Sequence, residues 1–81
     1  DFLSPDGLSR AGIWRCTPGI FDCNELGDEL QTITAGRVML SMEGQASIEC
    51  VAGDSVFTRK GRRVRWDIRE TVTKIFHTSN L

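Results

Sequence analysis

The chain has 81 residues, with 10 Lys plus Arg against 11 Asp plus Glu and a formal net charge of −1. A chain this short supports one core rather than two, and its near-even charge lacks the strongly basic footprint by which proteins grip nucleic acid. No stretch approaches the roughly 20 consecutive apolar residues that a membrane helix needs, so neither nucleic acid nor membrane is an expected partner.

Residues 1–11 read as an N-terminal arm, broken by Pro5-Asp6-Gly7, and residues 12–81 as one domain. Within that domain Gly and other turn formers recur at Thr17-Pro18-Gly19, Leu26-Gly27-Asp28, Ala35-Gly36, Glu43-Gly44, Ala52-Gly53-Asp54 and Lys60-Gly61. This spacing leaves room for strands and little for helices. Runs rich in β-branched and aromatic residues lie between the turns, over 12–16, 20–24, 30–34, 37–42, 46–51, 55–59, 62–68 and 72–77, which predicts about eight strands. Val64, Trp66 and Ile68 alternate with Arg63, Arg65 and Asp67, the pattern of a half-buried antiparallel strand. Glu43-Gly44-Gln45 sits between two such runs as a hairpin connection, making Val38, Leu40, Ile48 and Cys50 expected core contributors. No 3.6-residue apolar period persists, so the fold class is all-β: a sandwich, barrel or jelly roll.

Cys16, Cys23 and Cys50 form an odd set without zinc-like spacing, and no secretory leader precedes them, so reduced thiols in a cytoplasmic setting are expected. The chain begins at Asp1 rather than Met, which suggests a domain of a longer product. A fold of this size buries only about 60% of its unfolded surface, and a homodimer that covers more of it is the default expectation. The cluster Arg59, Lys60, Arg62, Arg63, Arg65 is read as solvated surface charge, because no aromatic platform interleaves with it on the same face. His77, the one histidine, has no Ser, Cys or carboxylate close by in sequence and reads as structural or exposed.

From Gly12 onward the order of features resembles the small single-domain cupins, in particular the branch of ureidoglycine aminohydrolase and the ethanolamine-utilisation cupin. Thr17-Pro18-Gly19-Ile20-Phe21 resembles that branch's entry segment, and Asp28 to Val38 its acidic strand ending in a Gly turn. Glu29 followed by six residues and Gly36 is similar to the end of the first cupin motif. Gly53 to Gly61, with Trp66 five residues beyond, is similar to the second, although Arg59 stands where cupins usually carry Pro. The resemblance implies a cupin-type antiparallel jelly-roll barrel.

Metal-binding cupins hold a divalent ion with an HxH pair, a Glu and a later His. Counting back from Glu29, the longer family spacing puts Asp22 and Asn24 at the HxH positions and the shorter puts Cys23 and Glu25 there; counting on from Gly61 puts Val64 at the last. Only Glu29 of the four is retained. No cofactor is therefore expected, and oxygen donors around Glu29 leave room at most for a weakly held Mg²⁺, Ca²⁺ or Mn²⁺. With period two, Asp22, Asn24, Glu29, Gln31 and Trp66 are expected to line the interior, Glu29 being the one candidate for acid–base chemistry. Such a lining suits a small organic ligand. Three functions stay open: a small-molecule-binding cupin without the usual imidazole cage, an aminohydrolase-like enzyme using Glu29 on a small nitrogen compound, and a structural or oligomerisation module.

Overall fold

The computed structural model describes residues 2–81, and among these there are seven strands and no helix: β1 (Phe2–Leu3), β2 (Arg10–Cys16), β3 (Gly19–Asn24), β4 (Asp28–Met42), β5 (Ile48–Val51), β6 (Ser55–Thr58) and β7 (Arg63–Ser79). All pairings are antiparallel. The difference from eight expected strands has two causes: two expected pairs run on into single long strands, β4 with 15 residues and β7 with 17, and the short strand β1 is added. The sheet also reaches into the segment expected as an arm, where Phe2 and Leu3 pair with Ala11 and Arg10.

β4 and β7 lie side by side along most of their length and form the spine. Each serves two sheets. Residues 72–78 of β7 lie between β2 and the first half of β4, which carries β6 on its other side. Residues 63–68 of β7 lie between β3 and the second half of β4, which carries β5. The chain thus makes a jelly roll whose two sheets share both spine strands.

The fold turns where the β4–β7 register slips, between Ile33 and Val38. Side chains facing inward on β4 are odd-numbered before this point (Gln31, Ile33) and even-numbered after it (Val38, Leu40). A bulge does this, because an extra residue in a period-two strand exchanges its faces. Gly36 occupies the slip with φ +89°, and a Cβ there would collide with the Thr71 carbonyl, so any other residue would meet both backbone strain and backbone atoms.

The apolar core consists of Ile33, Val38, Leu40, Cys50, Val56, Val64, Trp66, Ile68 and Val72. It includes three of the four expected core contributors, whereas Ile48 is exposed. Trp14, Cys16, Phe21, Cys23 and Met42 pack against it. Buried beside these are five polar residues, Glu25, Gln31, Thr58, Lys74 and Thr78, at one end of the interior.

Candidate functional site

The site follows from strand register. Residues paired directly across antiparallel strands present their side chains on the same face. Arg10, Thr78, Glu29 and Thr58 stand in one such row across β2, β7, β4 and β6. The next row holds Gly12, Phe76, Gln31 and Val56, and the one after it Trp14, Lys74 and Ile33. From the opposite sheet, Phe21 pairs with Trp66 and Cys23 with Val64, so those four also face inward. Between the sheets is a cavity of about 180 Å³, lined by Trp14, Phe21, Trp66 and Phe76, by Cys23, Glu25, Glu29 and Lys74, and by the exposed Arg10.

Lys74 is the centre of the polar set. Its Nζ donates to Glu29 Oε2 at 3.0 Å and to Gln31 Oε1, and it lies 4.4 Å from the ring centroid of Trp66 and 4.8 Å from that of Trp14. A buried ammonium is costly unless paired and hydrogen-bonded, and the ring faces supply the remaining negative potential. The other Glu29 oxygen accepts from Thr78 Oγ1 at 3.0 Å, so both carboxylate oxygens are engaged. The rings are themselves packed as a group: Phe21 stacks parallel to Trp66 at 6.3 Å, and Trp14 is tilted against both. Gln31 Nε2 is buried and finds no partner within the protein.

Glu25 enters from the turn after β3. Its backbone N–H donates to the Arg62 carbonyl at 2.9 Å, and its carbonyl accepts from Gly61 N–H at 2.8 Å, which ties this turn to the one before β7. On the other side Gly27 lies flush against the end of β7, where a Cβ would collide with the Ser79 carbonyl. The side chain is buried at 8% exposure. Burial pushes its carboxyl above the usual carboxylate range, and the Glu29 charge pushes it further in the same direction. Burial likewise raises the Cys23 thiol, with Glu25 and Glu29 adding to the effect, so this cysteine is held as a thiol rather than an activated thiolate.

Of the residues expected to line the interior, Glu29, Gln31 and Trp66 face inward together, and Glu29 and Trp66 line the cavity itself. Asp22 and Asn24 do not. They are exposed on the other face of β3, because packing Phe21 against Trp66 fixes the parity of that strand. Asp22 there binds Arg65 Nε at 2.9 Å and Arg63 Nη2 at 2.9 Å, and the two guanidinium groups hold its carboxyl at about 2. A depression of about 270 Å³ lies over this cluster, but its charged groups already satisfy one another. The inward parity makes the shorter motif spacing the operative one, with Cys23 and Glu25 at the first two ligand positions. His77 is exposed.

The alternation along the chain contains a signal for Lys74. Val64, Trp66, Ile68, Val72, Lys74, Phe76 and Thr78 share one parity along β7, so a lysine falls in the inward set. Dividing 62–68 from 72–77 as separate strands conceals that phase. Trp14, Phe21 and Arg10 carry no comparable signal, since their convergence depends on how the two sheets face each other.

The donor set at the metal-ligand positions is Cys23, Glu25, Glu29 and Val64: a thiol with a raised pKa, two carboxyls and a hydrocarbon. It does not fit a transition ion that favours imidazole, and an ammonium already occupies Glu29. Among the described residues no cluster of three His, Cys, Asp or Glu side chains could hold a metal ion.

An antiparallel jelly roll with a cavity between its sheets, and a glutamate from the first motif in that cavity, defines a cupin. Residues 3–76 match the family described as EutQ-like cupin domain, and the chain belongs to that family. Solved structures agree. The EutQ protein of Clostridium difficile superposes with a TM-score of 0.80 at 18% identity, over 90% of this chain and 57% of that one. A putative ethanolamine utilisation protein Q from Salmonella typhimurium gives 0.80 at 20%, over 93% and 60%. A DUF861 family protein from Thermotoga maritima gives 0.75 at 31%, over 80% and 74%. The chain thus spans less than two thirds of the two ethanolamine-utilisation proteins. No curated protein matches it.

Proposed function

We propose that this domain binds a small organic molecule in the cavity between its sheets. The observation that carries this reading is the combination of four aromatic walls with Glu25 and the paired Glu29 and Lys74 in one cavity. Apolar walls provide burial and a few placed polar groups fix orientation, which is the usual design of a small-molecule site. Trp14, Phe21, Trp66 and Phe76 supply the walls; Glu25, Glu29 and Lys74 supply the polarity.

The test is a thermal-shift and calorimetric screen with nitrogenous and acidic metabolites. A stabilising hit should be weakened by Glu25→Gln and unaffected by Asp22→Asn, which alters the outer face. Uniform failure across a broad panel, or equal weakening by both variants, overturns the reading.

The raised carboxyl of Glu25 favours a second reading, an aminohydrolase-like enzyme acting on a small nitrogen compound. A carboxyl that keeps its proton closer to neutral pH is suited to general acid–base work. Glu29, with both oxygens engaged, would then orient the site. Turnover that survives Glu25→Gln unchanged would remove this alternative.

A further inference from the structure

Within the cavity, Lys74 has a chemical setting of its own. Lysine is almost never fully buried unless paired, and this one is 7% exposed. Its ammonium has a carboxylate at 3.0 Å, an amide oxygen, and the faces of two indoles at 4.4 and 4.8 Å. That constellation, with aromatic faces around a cation and an oxygen anion beside it, is how proteins capture a free organic ammonium. Here the captured ammonium belongs to the chain itself.

Its position matters as much as its partners. Glu29 is the one group of the four-ligand cupin pattern present in this sequence, and Lys74 stands on its Oε2 while Thr78 stands on its Oε1. A divalent ion approaching that carboxylate would have to displace an ammonium or sit against it, in an interior where like charges repel strongly. The other positions of the pattern hold a thiol, a carboxyl and the hydrocarbon Val64, with no imidazole among them.

We propose that Lys74 is the resident cation of this cavity, standing on Glu29 in place of a divalent ion and fixing the Glu29 carboxylate and the Gln31 amide for the bound molecule. The proposal deepens the binding reading and rests on it for the cavity's purpose. It has its own consequence: the wild-type cavity has no saturable divalent site, and removing the lysine side chain creates a vacancy that accepts an organic ammonium.

The experiment titrates the wild type and Lys74→Ala with MnCl₂ and with n-propylammonium chloride, which restores the atoms that the substitution removes, and follows heat and melting temperature. Propylammonium should raise the variant's melting temperature by about 5 °C at saturating concentration and leave the wild type unmoved. Neutral 1-propanol, with the same number of heavy atoms, should do neither. Mn²⁺ should show no saturable binding to the wild type. Stoichiometric Mn²⁺ binding to the wild type overturns the assignment, as does a folded variant indifferent to the amine.

Should Lys74→Ala fail to fold, Lys74→Ala combined with Glu29→Gln removes the buried carboxylate that the single change strands. The double variant should fold and lose the amine response, and a response of undiminished size there would overturn the proposal. None of these readouts needs the natural ligand. A failed metabolite screen with amine rescue intact sinks only the binding reading; a successful screen without rescue sinks only the role of Lys74.

Discussion

The two ends of the interior are built from the same two spine strands and could hardly differ more in chemistry. Around Val38, Leu40, Ile68 and Val72 every side chain is hydrocarbon and almost fully buried. Around Glu25, Glu29, Gln31, Lys74 and Thr78, on continuations of the same strands or the turn beside them, carboxyls, an amide, a hydroxyl and an ammonium are buried instead. A domain of this size gains most of its stability from apolar burial, so a polar end is a cost unless it serves something else. The dry end holds the fold together, and the polar end, kept in place by that fold, is where ligand chemistry belongs.

Four substitutions sharpen this contrast. The largest effect is expected from Lys74→Ala, which strands the Glu29 carboxylate: a loss of roughly 3–5 kcal/mol in urea unfolding at neutral pH, with most of it recovered when Glu29→Gln is added. If the double variant were no more stable than the single one, the pair would not be coupled as its 3.0 Å contact indicates. At the dry end, Leu40→Ala should cost about 2–5 kcal/mol through lost burial and the space left behind, with no change in ligand affinity. A changed affinity would mean that the two ends are not independent.

Glu25→Gln is expected to have a smaller effect that depends on pH. The folded state holds the Glu25 proton above the ordinary value of 4.5, so it binds more protons than the unfolded chain between that value and the raised one. Stability should therefore fall as pH rises through this window, and Gln should abolish that fall. Unfolding curves of wild type and variant that stay parallel from acid to neutral pH would contradict the buried position of Glu25. The smallest effect belongs to Asp22→Asn on the outer face. There the carboxyl is lowered from 3.8 to about 2 by Arg65 and Arg63, so its contribution is present above 3.8 and vanishes as pH falls through 2. Because the group is exposed, the loss should be slight and shrink further in high salt; a loss comparable to that of Leu40→Ala would place real stability on the surface.

Strand content, core and family are legible from the chain, since period-two alternation and regularly placed glycines state them locally. Val64, Trp66 and Ile68 against Arg63, Arg65 and Asp67 already assign the two faces of β7. Glu29 and Trp66 stand out because a motif and a strand phase mark them. The expectation that Asp22 and Asn24 face inward fails because two motif spacings fit the sequence equally, and only the pairing of Phe21 with Trp66 selects between them.

By itself, then, the sequence determined an all-β cupin with an apolar core and a lone first-motif glutamate, because each of these is written in residues close together along the chain. The tertiary structure alone decided that Lys74, 45 residues from Glu29, is its partner, and that Trp14, Phe21, Trp66 and Phe76 meet around one cavity. Those contacts depend on the bulge at Gly36 and on the register in which two long strands cross from one sheet to the other, and no local pattern encodes either.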